Sequence, residues 1–117
     1  MGRLTTHVLD TASGKPAGAL LVTLSRISNE QAEQILEIFT NPDGRTDKPL
    51  LDGPSFREGT YALSFHVAPY FAAQGTKLPD PPFLDIITIR FSISDKDQHY
   101  HVPLLFSPWS YSTYRGS

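Results

Sequence analysis

Cysteine is absent from the 117-residue chain. Disulfides, thiol nucleophiles and thiolate metal sites are therefore excluded. No apolar run approaches the ~20 residues needed to span a bilayer. The opening residues, MGRLTTHVLD, hold no apolar signal core. The expectation is a cytoplasmic protein with no membrane partner, a removed leader or a peroxisomal address being left open. Neither sign of charge dominates, since the net charge is −2. No basic stripe interleaves with aromatic residues, so nucleic acid is not an expected partner. The carboxylates are scattered rather than paired, which argues against two-carboxylate glycosidase chemistry. The chain also lacks a G-x-S-x-G elbow and a phosphate-cradling glycine loop.

What the chain does have is punctuation. Ten prolines and eight glycines break it into short segments. A length of 117 residues suits one domain spanning 1–117. Between the breaks, several segments alternate with strand periodicity. In RLTTHVLD, Leu4, Thr6 and Val8 share one face, and Thr5, His7 and Leu9 the other. SGKPAG reads as a turn. ALLVTLSRI reads as a strand, being rich in β-branched and aliphatic residues. In NEQAEQILEIFTN the first half suits a helical turn. The second half alternates, with Ile35, Glu37 and Phe39 set against Leu36, Ile38 and Thr40.

NPDGR is a tight turn. TYALSFHV is a strand, and PYFAAQG is the one helix, with proline near its start and glycine at its end. KLPDPP is an extended linker. FLDIITIRFSIS is the longest strand, with Ile87, Ile89, Phe91 and Ile93 on one face. KDQ is a short connection. HYHVPLLF and WSYSTYRG are strands separated by the turn at Ser107–Pro108, and Pro103 predicts a missing ladder bond within the first of them. Seven to eight strands with one short helix indicate an all-β sandwich of two sheets.

Four histidines offer proton-transfer chemistry near neutrality: His7, His66, His99 and His101. His99 and His101 lie two apart on one strand and share a face. Three readings of that pair stand open: solvated surface residues, two ligands of a metal with His7 as a third, or metal-free acid–base catalysis. His66 is read as structural or exposed. Arg45 follows Asp-Gly in its turn, and is either a solvated loop cation or a planar clamp for an oxyanion.

Three separated stretches then agree. LTTHVLDTASGKPA, TNPDGRTD and the terminal STYRGS resemble the 5-hydroxyisourate hydrolases, the enzymatic relatives of transthyretin. HYHVPLLFSPWSYS matches the same family's penultimate strand and the turn after it, although Trp109 stands where a tyrosine is expected. SRISNEQAEQILEIF adds little beyond strand character. The resemblance implies a two-sheet transthyretin-like sandwich and a homotetramer, with active sites in a channel near subunit interfaces. It implies hydrolysis of 5-hydroxyisourate in urate degradation, with no cofactor and no metal. His7, Arg45, His101 and Ser117 are the catalytic residues so implied. Tyr114, Arg115, Gly116 and Ser112 are the substrate-binding ones. Hormone-binding transthyretins carry other residue types at the positions of His7, Arg45, His101 and Tyr114. A transthyretin-like small-ligand binding module without turnover is the alternative.

Overall fold

Alternating residues make the strands, and prolines and glycines stop them. The structure is a computed structural model that describes residues 1–116. Among these residues the strand segments are β1 (Arg3–Thr5), β2 (Val8–Asp10), β3 (Lys15–Pro16), β4 (Leu21–Ser28), β5 (Gln31–Phe39), β6 (Leu51–Asp52), β7 (Gly59–His66), β8 (Ile86–Ile93), β9 (Tyr100–His101), β10 (Leu104–Phe106) and β11 (Tyr111–Thr113). A 3-10 turn covers Gly53–Ser55, and the helix α1 covers Val67–Ala73. No helix among them is long and apolar enough to cross a membrane.

One layer is antiparallel, in the order β5-β4-β7-β8. The other is hydrogen-bonded as two ladders, β6-β1-β9 and β11-β10-β2-β3. These ladders are two halves of one interrupted layer. Residues 3–10 and 100–106 run parallel, and Leu4 pairs with Tyr100, Thr5 with His101, and Val8 with Leu104 in one register. Val102 N–H to Thr5 O (2.9 Å) and Leu104 N–H to His7 O (3.0 Å) carry the pairing across the gap. Pro103 has no N–H to donate toward the side of β11, which is the missing ladder bond expected there. The buried Thr6 hydroxyl caps the Val102 carbonyl there at 2.7 Å. Such breaks, together with the two-residue β3 and β6, turn the expected seven to eight strands into eleven segments.

The expected alternation holds. Leu4, Thr6 and Val8 are buried, while Thr5, His7 and Leu9 lie half-exposed on the opposite face. Leu4, Val8, Leu104 and Phe106 of one layer join Leu24, Leu63, Phe65 and Ile87 of the other in a single core. The expected helical turn in NEQAEQ is not formed. Gln31–Phe39 is all strand, because β4 offers partners from Ser28↔Gln31 to Leu21↔Phe39, passing over Ile35 at one irregularity. The hairpin closes through Asn29 and Glu30, both at positive φ (52° and 62°). That is the backbone of a primed two-residue turn. Glutamate in place of glycine hid it from sequence reading.

The helix begins two residues before Pro69 and ends before Gly75, which adopts φ +82°. It buries Val67, Tyr70 and Phe71. Tyr70, Phe71 and Phe106 meet edge to face with centroids 5.3–5.6 Å apart. The Tyr70 hydroxyl donates to the buried Asp10 carboxylate at 2.9 Å. Burial and the neighbouring Asp10 push the Tyr70 phenol up to about 12. The neutral phenol is thus favoured by the fold. Its contribution is complete below pH ~10, the ordinary tyrosine value, and is lost as pH rises toward 12. Urea unfolding at pH 8 and at pH 11.5 should show an alkaline loss of about 2 kcal/mol from this residue. Tyr70→Phe should abolish that part of the loss. An equal loss in the variant would refute the assignment.

Candidate active site

The site is built on the loop Asn41–Asp47. Thr40 anchors its start, with its hydroxyl donating to Ala17 O at 2.6 Å and accepting from Leu20 N–H at 3.0 Å. Asn41 shapes the turn, because its Oδ1 accepts from Asp43 N–H (2.9 Å) and Arg45 N–H (3.1 Å). This is the local side-chain bonding that asparagine favours in turns. Gly44 then docks onto β2. Its carbonyl accepts Val8 N–H at 2.9 Å, and its φ is +75°. A Cβ at that position would lie 2.5 Å from Val8 O. Only glycine meets both demands.

The docked loop lies beside His7, in the break between β1 and β2. His7 Nε2 is 3.0 Å from the Asp43 carbonyl. A carbonyl only accepts, so Nε2 carries a proton and Nδ1 is the ring nitrogen left to face elsewhere. Arg45 Nε donates to Asp43 Oδ2 at 3.1 Å. One carboxylate oxygen thus orients the guanidinium and leaves its terminal nitrogens toward solvent.

His101 arrives from the other strand of the parallel pair. Thr5 stands opposite it, with Oγ1 2.8 Å from His101 Nδ1. Burial, then the charges of Arg45 and His7, hold the His101 pKa below the ordinary imidazole value. Arg45 and His7 thus lie near enough to His101 for their charges to act on it. Gly116 closes its side. It forms an antiparallel bridge with His101, its N–H donating to His101 O at 2.7 Å. A Cβ on Gly116 would fall 2.9 Å from His101 Cδ2.

Four of the expected site residues therefore converge: His7, Arg45, His101 and Gly116. Ser112 is exposed on β11 opposite Leu105, and Tyr114 is 61% exposed beyond it. Arg115 is committed elsewhere, for its Nη2 bonds Gln98 Oε1 and His99 O, each at 3.0 Å. Ser117 lies outside the described residues. His99 is exposed ahead of β9, and His66 ends β7 without a side-chain cap on α1. Among the described residues no three His, Asp or Glu side chains form a metal-binding group. Sequence reading missed Thr5, Asn41 and Asp43. Thr5 had one signal, since it shares a face with His7. Its pairing with His101 depends on a parallel register between segments 96 residues apart.

Residues 4–116 match the profile of the HIUase/Transthyretin family. The chain belongs to this family. It is 56% identical to the 5-hydroxyisourate hydrolase of Ralstonia nicotianae, over the whole of both chains. Among solved structures it is similar to an (S)-allantoin synthase, at a TM-score of 0.94 and 50% identity. It covers 44% of that protein's length, with 99% of its own length matched. The 5-hydroxyisourate hydrolase of Klebsiella pneumoniae matches at a TM-score of 0.82 and 33% identity, over 100% of both chains. Sea bream transthyretin, solved with thyroxine, matches at 0.87 and 28%, over 97% of this chain and 94% of its own. Family members with different activities thus share the backbone, and the side chains of the cluster must separate them.

Two glycines with nearly the same φ test the docking of the loop. Gly14 (φ +76°) has open space where a Cβ would go, whereas Gly44 meets Val8 O. Gly14→Ala should cost ~1 kcal/mol of backbone strain and leave turnover unchanged. Gly44→Ala should cost roughly 3 kcal/mol or more and remove most activity by displacing Arg45. Thermal denaturation and turnover of both variants check this. Equal behaviour of the two would contradict it.

Proposed function

We propose that the chain opens the ring of 5-hydroxyisourate with His101 as the base that activates water. Hydrolysis of 5-hydroxyisourate in urate degradation is its activity, in keeping with relatives 50–56% identical over its whole length. The roles of the side chains are argued from geometry. The observation that carries them is the half-buried His101, kept neutral beside two cationic or potentially cationic groups.

Water is a weak nucleophile at neutral pH, and a neutral imidazole can take its proton as it attacks. In this reading His101 Nδ1–H donates to Thr5 Oγ1, which leaves the Nε2 lone pair toward the water. His7, its Nε2–H tied to Asp43 O, offers Nδ1 as a second acceptor that orients the same water. Attack at the acyl C–N bond places negative charge on the carbonyl oxygen. Arg45, aimed by Asp43, stabilises that oxygen. Collapse of the adduct breaks the C–N bond, and the proton held on His101 passes to the leaving ring nitrogen. The product is the ureidoimidazoline carboxylate, 2-oxo-4-hydroxy-4-carboxy-5-ureidoimidazoline. Tyr114 and Ser112, both exposed, would line the substrate's approach.

The proposal includes a homotetramer. Both layers end on an unpaired strand, β8 in one and β11 in the other. Residues of β8 and residues 113–115 line a common groove of about 280 Å³, so the two free edges lie on one side. Exposed Trp109, Tyr111 and Tyr114 follow the same stretch of chain. Pairing of edges would extend both sheets, and stacking of the resulting dimers would close the open face of the site.

The test is the ultraviolet decay of freshly generated 5-hydroxyisourate with and without the protein, in the presence of a chelator. Acceleration that survives chelation is expected. A folded protein that gives none would instead be a small-ligand binding module. The pH dependence follows from the charges. The acid limb of kcat/KM should fall below pH ~6.5, because His101 resists protonation. Arg45→Met should lower the rate about 10²–10³-fold. It should also move the acid limb to higher pH, since one cause of the depressed pKa is gone. An unmoved limb would refute His101 as the base.

A further inference from the structure

We propose that Arg115 is a positioning residue that clamps the chain terminus to the strand of His101, so that Gly116 covers the imidazole. The proposal rests on the catalytic reading of His101 above. It assigns Arg115 a different part from the substrate contact expected of it.

The need for a clamp arises at Pro103. β10 and β11 pair as Phe106↔Tyr111, Leu105↔Ser112 and Leu104↔Thr113. The isolated bridge His101↔Gly116 falls in the same register. Between them, two successive positions on each chain, Val102–Pro103 and Tyr114–Arg115, have no ladder pairing. Pro103 lacks the N–H for it, and its carbonyl is taken by the Thr113 hydroxyl at 2.7 Å. A segment with two missing rungs should be loosely held.

Arg115 supplies the missing attachment. Its guanidinium lies 4.1 Å from the centroid of the Tyr100 ring. Its Nη2 donates to Gln98 Oε1 and His99 O, both at 3.0 Å. Tyr100 is a rigid post. It is 5% exposed, and its hydroxyl accepts from Ser94 N–H (3.0 Å) and Asp95 N–H (3.1 Å). Residues 98, 99 and 100 therefore grip Arg115, and the next residue, His101, receives Gly116. The cation's face and its fork are both in use, and they hold the main chain one residue short of the catalytic ring. Gly116 then sits where any side chain would strike His101. A loosened terminus would uncover the imidazole to water and widen its range of rotamers.

Arg115→Gln and Arg115→Lys decide the matter through two readouts. With 5-hydroxyisourate as substrate, Arg115→Gln should lower kcat about 10-fold or more and leave KM within about 2-fold, because orientation rather than binding is lost. Without substrate, NMR titration of His101 should move up toward the ordinary imidazole value as the ring becomes hydrated. The charges that act on His101 are those of Arg45 and His7, which the substitution leaves in place. Arg115→Lys keeps the charge but not the planar fork, and should recover only part of both effects. Gln98→Ala, which removes one acceptor, should give a smaller loss in the same direction. A raised KM with kcat and the His101 titration unchanged would overturn the proposal in favour of direct substrate contact. No change in either readout would show that the terminus is held without Arg115. An inactive wild-type protein would remove the hydrolase reading, while the titration still decides the clamp.

Discussion

Thr5 stands opposite His101 because residues 3–10 and 100–106 run parallel in one register. A slip of one residue would exchange the faces of either strand and bury His7 or His101 in the core. The register is held from both sides. Leu4, Val8, Leu104 and Phe106 are all fully or almost fully buried, so the core rejects the alternative phase. Two further segments then dock on this pair. The loop at 41–47 reaches Val8 through Gly44, and the chain end reaches His101 through Gly116. Both contacts are backbone hydrogen bonds at glycines whose missing side chains are the condition of the fit. The two docked segments are thus joined to the pair by main chain, which suits groups that must hold position within a fraction of an ångström.

The electrostatics follow from that placement. Arg45 bears a permanent charge, and only Asp43 is bonded to it among the described carboxylates. Burial, then the charges of Arg45 and His7, favour the neutral form of His101. The same positive field favours an oxyanion at the position where water attacks. In the proposed mechanism one charge therefore serves both halves of the reaction: it keeps the base deprotonated and stabilises what the base helps to create. The Arg45–Asp43 pair itself is exposed and adds little to stability. Its value is in aiming the guanidinium.

Local chemistry was legible in the sequence wherever it depended on neighbours along the chain. Alternation placed Thr5, His7 and Leu9 on one face, NPDGR declared its turn, and Pro103 declared its break. What depended on distant pairing was hidden. The role of Thr5 required knowing that its strand runs parallel to residues 100–106. The hairpin at Asn29–Glu30 was masked because glutamate seldom adopts a positive φ, while the helix-compatible residues after it were drawn into a strand by β4. Arg115 was read through its motif as a contact for substrate. Its commitment to Tyr100, Gln98 and His99 became visible only once the turn before β9 was in place beside the tail.

The backbone alone does not decide what the protein does. A thyroxine-bound transthyretin superposes on this chain at a TM-score of 0.87, and a 5-hydroxyisourate hydrolase at 0.82. Fold and function separate here, as they do in other widely used folds. A site for an apolar ligand gains from smooth, uncharged walls. This chain instead carries His7 and Arg45 near enough to His101 for their charges to act on it. Such groups would weaken the binding of an apolar ligand, because each must be stripped of water with no partner to replace it. They cost nothing comparable against a polar heterocycle that carries its own donors and acceptors, and whose transition state gathers charge. The same scaffold therefore cannot be best at both tasks. The choice rests on a few side chains whose positions are set by two glycine contacts and one parallel register.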